Sequence, residues 1–191
     1  MSKMITPPFV GSFVTLLEPS RPPGTDAALK YSITIVLPKD DKFWKEVDKA
    51  MQQCAKDKFG KIPKGLKTPV KDGDESDFGH EGMYTLMASA KEDRKPEIVG
   101  ADLQPIMDAK EIYSGAIYRA SITPYAWSHQ VGGKGVSFGL SNVMKVADGE
   151  PLDGRTKASS DFADFADEDS EGSEGSEPAT PAEGVASSLL G

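Results

Sequence analysis

Residues 113–146 of the chain read YSGAIYRASITPYAWSHQVGGKGVSFGLSNVMKV. Two runs rich in β-branched and aromatic residues, 113–127 and 136–146, flank the segment SHQVGGKG, and adjacent glycines of this kind are typical of a hairpin tip. The stretch therefore predicts two antiparallel strands joined by a flexible connection. They are the two longest strands that the sequence predicts.

The first of these strands is predicted to have two chemically different faces, because alternate residues of a strand share a face. The apolar face comprises Tyr118, Ala120, Ile122 and Ala126, and the polar and aromatic face comprises Arg119, Ser121, Thr123, Tyr125 and Trp127. Such a mixed face suits single-stranded nucleic acid, since the cation meets phosphate while the rings stack on bases of any sequence. The same pattern also arises when Tyr125 and Trp127 pack under a loop, so both interpretations stand.

Three further strands and one helix are predicted before the hairpin. The strands are an apolar run at 9–17 closed by EPSRPPG, an alternating run at 31–37 stopped by proline, and a run at 83–90. The helix follows the second strand: Asp40 or Asp41 caps its start, and apolar residues recur at helical spacing until Gly60 ends it. Residues 58–77, rich in Lys, Gly and Pro, are predicted to lack well-packed regular structure.

Five strands and one helix match the inventory of an all-β OB-fold, a small five-stranded Greek-key barrel that commonly binds oligonucleotides across one face. We expect this barrel to occupy residues 1–157, with its helix after the second strand. The chain of 191 residues then leaves a short segment beyond the barrel.

That segment, the acidic tail at residues 158–191, differs sharply in charge from the rest of the chain. The whole protein has a net charge of -8, yet residues 1–157 carry 22 basic and 21 acidic residues, whereas the acidic tail carries nine acids and no base. Because it is rich in Gly, Ser, Pro and acids and poor in large apolar residues, the tail is predicted to be disordered. Its candidate partner-binding residues are Asp161, Phe162, Asp164, Phe165, Asp167, Glu168 and Asp169.

Several classes of protein are excluded by the sequence. No apolar run approaches the roughly 20 residues of a membrane helix, and the first ten residues do not resemble a signal peptide, so a cytoplasmic protein is expected. One cysteine and two histidines cannot assemble a Cys/His zinc site, and no metal or cofactor is predicted. The acidic loop around Asp72 and Asp74 lacks the glycine and glutamate of a calcium loop, and no catalytic triad is indicated.

Basic residues suited to the wall of a nucleic-acid groove occur in three places. They are Lys64, Lys67 and Lys71 in the loop before the third strand, Lys91, Arg94 and Lys95 after that strand, and Lys134 at the hairpin tip. Spaced lysines on a loop can follow a phosphodiester backbone, although each surface lysine alone is weak evidence.

Taken in order, YSITIVLPKDD, KTPVKDGD, YSGAIYRASITPYAW, GGKGVSFGLSNVMKV and the acidic tail resemble phage-encoded single-stranded DNA-binding proteins of the OB-fold type over about residues 9–150. The resemblance implies sequence-independent binding and protection of ssDNA in phage DNA replication, recombination and repair, without catalysis, in the cytoplasm of the infected bacterial host. It supports, residue by residue, Lys67, Lys71, Tyr113, Tyr118, Arg119, Tyr125 and Trp127 as DNA-binding residues. Tyr118 is the weakest of them, because the alternation places it in the core.

The resemblance also implies that the acidic tail contacts replication proteins, such as DNA polymerase and helicase-primase, while competing with DNA for the groove. Tails of this type often end on an aromatic residue, whereas this chain ends in SSLLG and carries its phenylalanines within DFADF. Either element can be the docking segment, and we favour DFADF because its rings lie among acids. A homodimer is compatible with the resemblance.

Two other functions remain as alternatives. One is a non-enzymatic adaptor, in which a β-barrel body binds a protein and the acidic tail recruits another; the aromatic and basic strand face argues against it. The other is a metal-dependent nuclease using Asp72, Asp74 and Asp77, although acids in a glycine-rich loop more often shape a turn.

Overall fold

Eight β-strands and one α-helix make up residues 3–152, the part of the chain that the computed structural model describes. The elements are β1 (Met4–Ile5), β2 (Phe9–Ser20), β3 (Lys30–Pro38), α1 (Phe43–Phe59), β4 (Val70–Asp72), β5 (Met83–Lys91), β6 (Glu97–Val99), β7 (Ile117–His129) and β8 (Gly133–Ala147). Five strands have nine or more residues, and they correspond to the five that the sequence predicts. No helix in the described part of the chain is long and apolar enough to cross a membrane.

The five long strands close into a barrel. Antiparallel pairing joins β7 to β2, β2 to β3 and β3 to β5, while β5 pairs with β8 in parallel and β8 returns to β7 as an antiparallel hairpin. The short strands are additions at the edges: β1 pairs with β7, β4 with β5, and β6 with β8. This closed five-stranded barrel, with its helix after the second long strand, confirms the predicted OB-fold.

Alternating side chains on the strands fill the barrel interior. Ile33, Ile35, Leu86, Tyr118 and Ile122 are fully buried there. Helix α1 lies against β7 and β8 and buries one apolar stripe, which includes Phe43, Trp44, Val47, Met51 and Cys54. Its ends follow the sequence signals, since Asp41 Oδ1 accepts a hydrogen bond from the Phe43 amide at 2.8 Å and Gly60 takes a left-handed conformation at the C-cap.

Two sequence predictions about local structure are wrong. Residues 58–77 contain β4, because this segment pairs with β5 along three residues and gains its order from that neighbour rather than from a pattern of its own. The long strand predicted to start at residue 113 starts at Ile117, since Gly115 adopts a φ of 110° and its Cα lies against the backbone of Glu150, which forces a turn.

Candidate nucleic-acid interface

The outer face of β3 and β5 carries mostly polar side chains, which lie opposite one another across the two strands. Lys30 lies opposite Lys91, Ser32 opposite Ser89 and Thr34 opposite Met87. Depressions open at both ends of this row, one around Lys30, Ser89 and Lys91 and the other around Thr34, Thr85 and Met87. The strand pairs at the two ends are four residues apart, about 13 Å at the rise of a strand, and the pair Ser32 and Ser89 lies between them. We call the two depressions and the row between them the groove.

We call the first depression the basic end, defined by Lys30, Lys91, Arg94 and Tyr125. Its lining contains no carboxylate, and none of its three cations forms an ion pair with a carboxylate among residues 3–152. Three cations that share one depression with an exposed aromatic ring attract a polyanion and offer a base a surface to stack on. The sequence-predicted Lys91, Arg94 and Tyr125 are therefore brought together.

Tyr125 and Trp127 both project from β7 on the outer face, as the alternation predicts. Tyr125 is 38% exposed and lies beside Thr123 and Gly139. Because Gly139 has no side chain, the Tyr125 ring stays accessible. Trp127 is half-buried: its indole lies over Gly135, and its Nε1 donates a hydrogen bond to Ser137 Oγ at 3.0 Å. The loop-packing interpretation thus fits Trp127 in part, and Tyr125 is the more open of the two rings.

We call the second depression the aromatic end, defined by Phe13, Phe78 and His80. The rings of Phe13 and Phe78 meet edge to face with centroids 4.8 Å apart, and His80 lies 6.5 Å from Phe13. The sequence-predicted Lys71 lines this end from β4.

The loop that carries Phe78 is tied to the barrel by Lys39. The Nζ of Lys39 lies 2.5 Å from both Asp72 Oδ1 and Asp74 Oδ2. The hydrogen bonds to these two carboxylates raise the pKa of Lys39, and the hydrogen bond from Lys39 lowers the pKa of Asp74. Asp74 Oδ1 also accepts a hydrogen bond from the Gly82 amide at 2.6 Å, so one carboxylate joins both ends of the loop. Asp72 and Asp74 are thus engaged with a lysine, and no group of three potential metal ligands occurs among residues 3–152.

The remaining predicted lysines lie around the groove rather than in it. Lys134 lies over the Phe59 ring, 5.0 Å from its centroid, and the Lys67 backbone forms hydrogen bonds with Lys134 and Val136 near the tip of the β7–β8 hairpin. Lys64 is exposed in the loop after α1, and Lys95 is exposed next to Arg94. None of these four lines either depression.

The expectation that Tyr118 contacts DNA is wrong. Its side chain is 0% exposed inside the barrel, its hydroxyl donates to the Tyr113 carbonyl at 2.8 Å and accepts from the Tyr113 amide at 3.0 Å, and burial raises its pKa to about 12. Tyr113 itself is half-buried, and its hydroxyl donates a hydrogen bond to Asp148 Oδ1. The hydrogen bond from Lys145 lowers the pKa of Asp148. Both tyrosines hold the start of β7 in place.

Arg119 is exposed but lies far from the groove. Six residues of β7, about 20 Å, separate it from Tyr125, and its Nη1 lies 3.4 Å from the Thr6 carbonyl on the N-terminal segment. The structure therefore does not bring Arg119 together with the basic end. The predicted tail residues 161–169 and the boundary at 157/158 lie outside the described residues.

Sequence reasoning missed four residues of the groove. Lys30 is detectable in principle, because it continues the polar alternation of Ser32 and Thr34. Phe13 gives no such signal, since it sits within an apolar run and reaches the surface only through an irregularity in β2. Phe78 and His80 lie in a loop whose sequence shows no periodicity. The only signal in that sequence is that Phe78 is an isolated aromatic residue among acids and glycines.

The barrel topology, together with cations and exposed rings on its outer face, is typical of OB-folds that bind oligonucleotides. A family model described as the Enterobacter phage Enc34 ssDNA-binding protein matches residues 2–172. The chain belongs to this family, which confirms the predicted resemblance to phage single-stranded DNA-binding proteins.

Solved structures agree with this assignment. The single-stranded DNA-binding protein from bacteriophage Enc34 is 25% identical, with a TM-score of 0.68 over 84% of this chain and 89% of that chain. The same phage protein in complex with ssDNA shares the fold, at 24% identity and a TM-score of 0.68 over 78% of this chain and 88% of that one.

A more distant likeness supports the fold alone. It is to gp2.5, a single-stranded DNA-binding protein encoded by bacteriophage T7, at 15% identity and a TM-score of 0.61 over 94% of this chain and 99% of that one. No curated protein matches the sequence.

Proposed function

We propose that this protein binds single-stranded DNA without sequence preference in the groove between its basic and aromatic ends. The observation that carries the proposal is the basic end, where Lys30, Lys91 and Arg94 line one depression together with the exposed Tyr125 ring and no carboxylate of residues 3–152 lines it. Phosphates release counterions when they meet such cations, and a ring stacks on any base, so the site suits a flexible single strand. Membership in the Enc34 family supports the same conclusion.

The proposed biological role is protection of ssDNA during phage DNA replication, recombination and repair, in the cytoplasm of the infected bacterial host. The proposal includes no catalytic step. Replication proteins such as DNA polymerase and helicase-primase are the proposed partners of the acidic tail, with DFADF at 161–165 as the docking element.

The acidic tail is also proposed to gate the groove. It carries nine acids and no base, and a polyanion tethered to the same chain competes for a basic site at a high effective concentration. DNA then binds by displacing the tail, which makes the gate sensitive to salt.

Fluorescence anisotropy of the full-length protein with labelled oligo(dT) and with a duplex of equal length tests the proposal. We expect tight binding to the single strand, weaker binding to the duplex, and an affinity that falls steeply as salt rises. Absence of binding to either DNA would reject the proposal and favour the adaptor function.

A further inference from the structure

We propose that Phe13 and Phe78 form a second DNA subsite, which accepts a base and excludes phosphate. The inference rests on the proposed ssDNA binding and assigns different chemistry to the two ends of the groove. The basic end binds the sugar-phosphate backbone. The aromatic end binds a base whose ring points away from that backbone.

Both rings are exposed although each is large and apolar. Phe13 is 50% exposed and Phe78 is 66% exposed, and they touch each other edge to face. Two edge-to-face rings form a corner rather than a slot, so a base stacks on a ring face that remains open to solvent. Stacking of this kind is favourable for every base, because every base has a π-face.

The backbone holds Phe13 outward by a local distortion. Between Ser12 and Thr15, β2 has one residue more than the facing segment of β3, which is a β-bulge, and Phe13 within it has a φ of 47°. A positive φ is unfavourable for a bulky side chain, and such strain is concentrated at ligand-binding positions. A regular strand at this position would keep the alternation of inward and outward side chains and would need no positive φ.

Phe78 is held by the fixed loop between β4 and β5. The Asp74 carboxylate links Lys39 on one side to the Gly82 amide on the other. The His80 carbonyl lies where a Cβ of Gly73 would stand, so only glycine fits there. A loop fixed in this way loses little conformational entropy when a base binds to its ring.

Charge separates this subsite from the basic end. The acids Glu75 and Asp77 line the depression beside the rings, whereas the basic end has none. Carboxylates repel phosphate but accept hydrogen bonds from the amino groups of bases. Lys71 also lines this depression, and its cation is available to the backbone phosphate next to the stacked base.

The test compares Phe78→Ala and Phe13→Gly with the native full-length protein, using oligo(dT) anisotropy across a salt series. Phe13→Gly removes the ring and suits the positive φ, so the fold is retained. Met107→Ala is the matched control, because Met107 is 90% exposed and lines neither depression. Each ring variant is expected to bind about 5- to 100-fold more weakly, with an unchanged slope of log affinity against log salt, since stacking releases no counterions.

Ultraviolet crosslinking to an oligonucleotide containing 5-iodouracil provides a second readout, with peptides mapped by mass spectrometry. Crosslinks at Phe13 or Phe78 support the subsite. Native binding that is unaltered in both variants, with crosslinks confined to the Tyr125 and Trp127 peptides, overturns the subsite and leaves the proposed function standing. A native protein that does not bind ssDNA overturns both.

Discussion

The indole Nε1 of Trp127 donates a hydrogen bond at 3.0 Å to the hydroxyl of Ser137, the residue that lies opposite Tyr125 across the β7–β8 hairpin. The ring lies over Gly135, where a side chain would collide with it. Trp127 is therefore fixed in one orientation before any ligand binds. Tyr125 lies two residues earlier on the same strand; its hydroxyl forms no hydrogen bond with the described residues, and its ring is more exposed.

This difference predicts distinct effects of two alanine substitutions. Tyr125→Ala is expected to weaken ssDNA binding by about 1 to 3 kcal/mol and to leave the thermal midpoint nearly unchanged, because its ring stacks on bases but packs little. Trp127→Ala is expected to weaken binding and also lower the midpoint by a few degrees, since its ring packs against the hairpin. Anisotropy and thermal unfolding measure the two effects, and a large loss of stability in Tyr125→Ala would make that residue structural.

Tyr118 predicts a loss of stability at alkaline pH. Burial raises its pKa to about 12, above the value of about 10 in an unfolded chain. Its contribution is therefore complete below pH 10 and is lost as pH rises from about 10 to 12. Tyr118→Phe should cost about 1 to 3 kcal/mol at neutral pH through the lost hydrogen bonds to Tyr113.

Urea unfolding of both proteins at pH 8, 10 and 11.5 measures the pH effect. The native protein should lose more stability than Tyr118→Phe over this range, because other alkaline groups affect both equally. Parallel loss in the two proteins would show that Tyr118 does not titrate as described.

Asp74 predicts the opposite pH dependence for the loop that carries Phe78. Its pKa is lowered by Lys39, so its contribution is present above about pH 4, the unfolded value, and is lost as pH falls through its folded pKa. Asp74→Asn should therefore speed amide hydrogen exchange in residues 73–82 at neutral pH, while exchange in β7 and β8 stays unchanged. Equal protection of the loop amides against exchange in the two proteins would contradict the claim that Asp74 holds this loop in place.

The acidic tail predicts tighter binding when its charge is removed. A full-length variant with the nine acids of residues 158–191 replaced by Asn or Gln should bind oligo(dT) more tightly at low salt, and the difference should shrink at high salt as charges are screened. A variant with the tail sequence shuffled keeps the charge and serves as the control. Unchanged or weaker affinity of the neutral variant would argue against the gate.

The barrel was predictable because its main strands carry long patterns. The alternation from Tyr31 to Leu37 and the apolar stripe of α1 each repeat often enough to fix the element and its buried face. Strands β1, β4 and β6 have two or three residues, too few for any period, and their pairing comes from neighbours distant in sequence.

The groove was predictable only in part, for a related reason. Lys91 and Tyr125 are predictable because they follow strand patterns, and Arg94 because it belongs to a basic cluster directly after a strand. Phe13 depends on a bulge, and Phe78 depends on a loop fixed by Lys39, so both arise from tertiary contacts that leave no mark in local sequence. Tyr118 was misassigned by the resemblance, although its alternation with Ala120 and Ile122 placed it in the core.

The most direct test of the groove is the salt dependence of oligo(dT) binding by the native protein and by a Lys91→Ala/Arg94→Ala double variant. Lys110→Ala is the control, because this exposed lysine lines neither depression. If both cations meet phosphates, the slope of log affinity against log salt should be shallower by about 1.4 in the double variant, at roughly 0.7 per single-strand phosphate contact. Slopes that are equal in native, double variant and control would contradict the placement of DNA at the basic end.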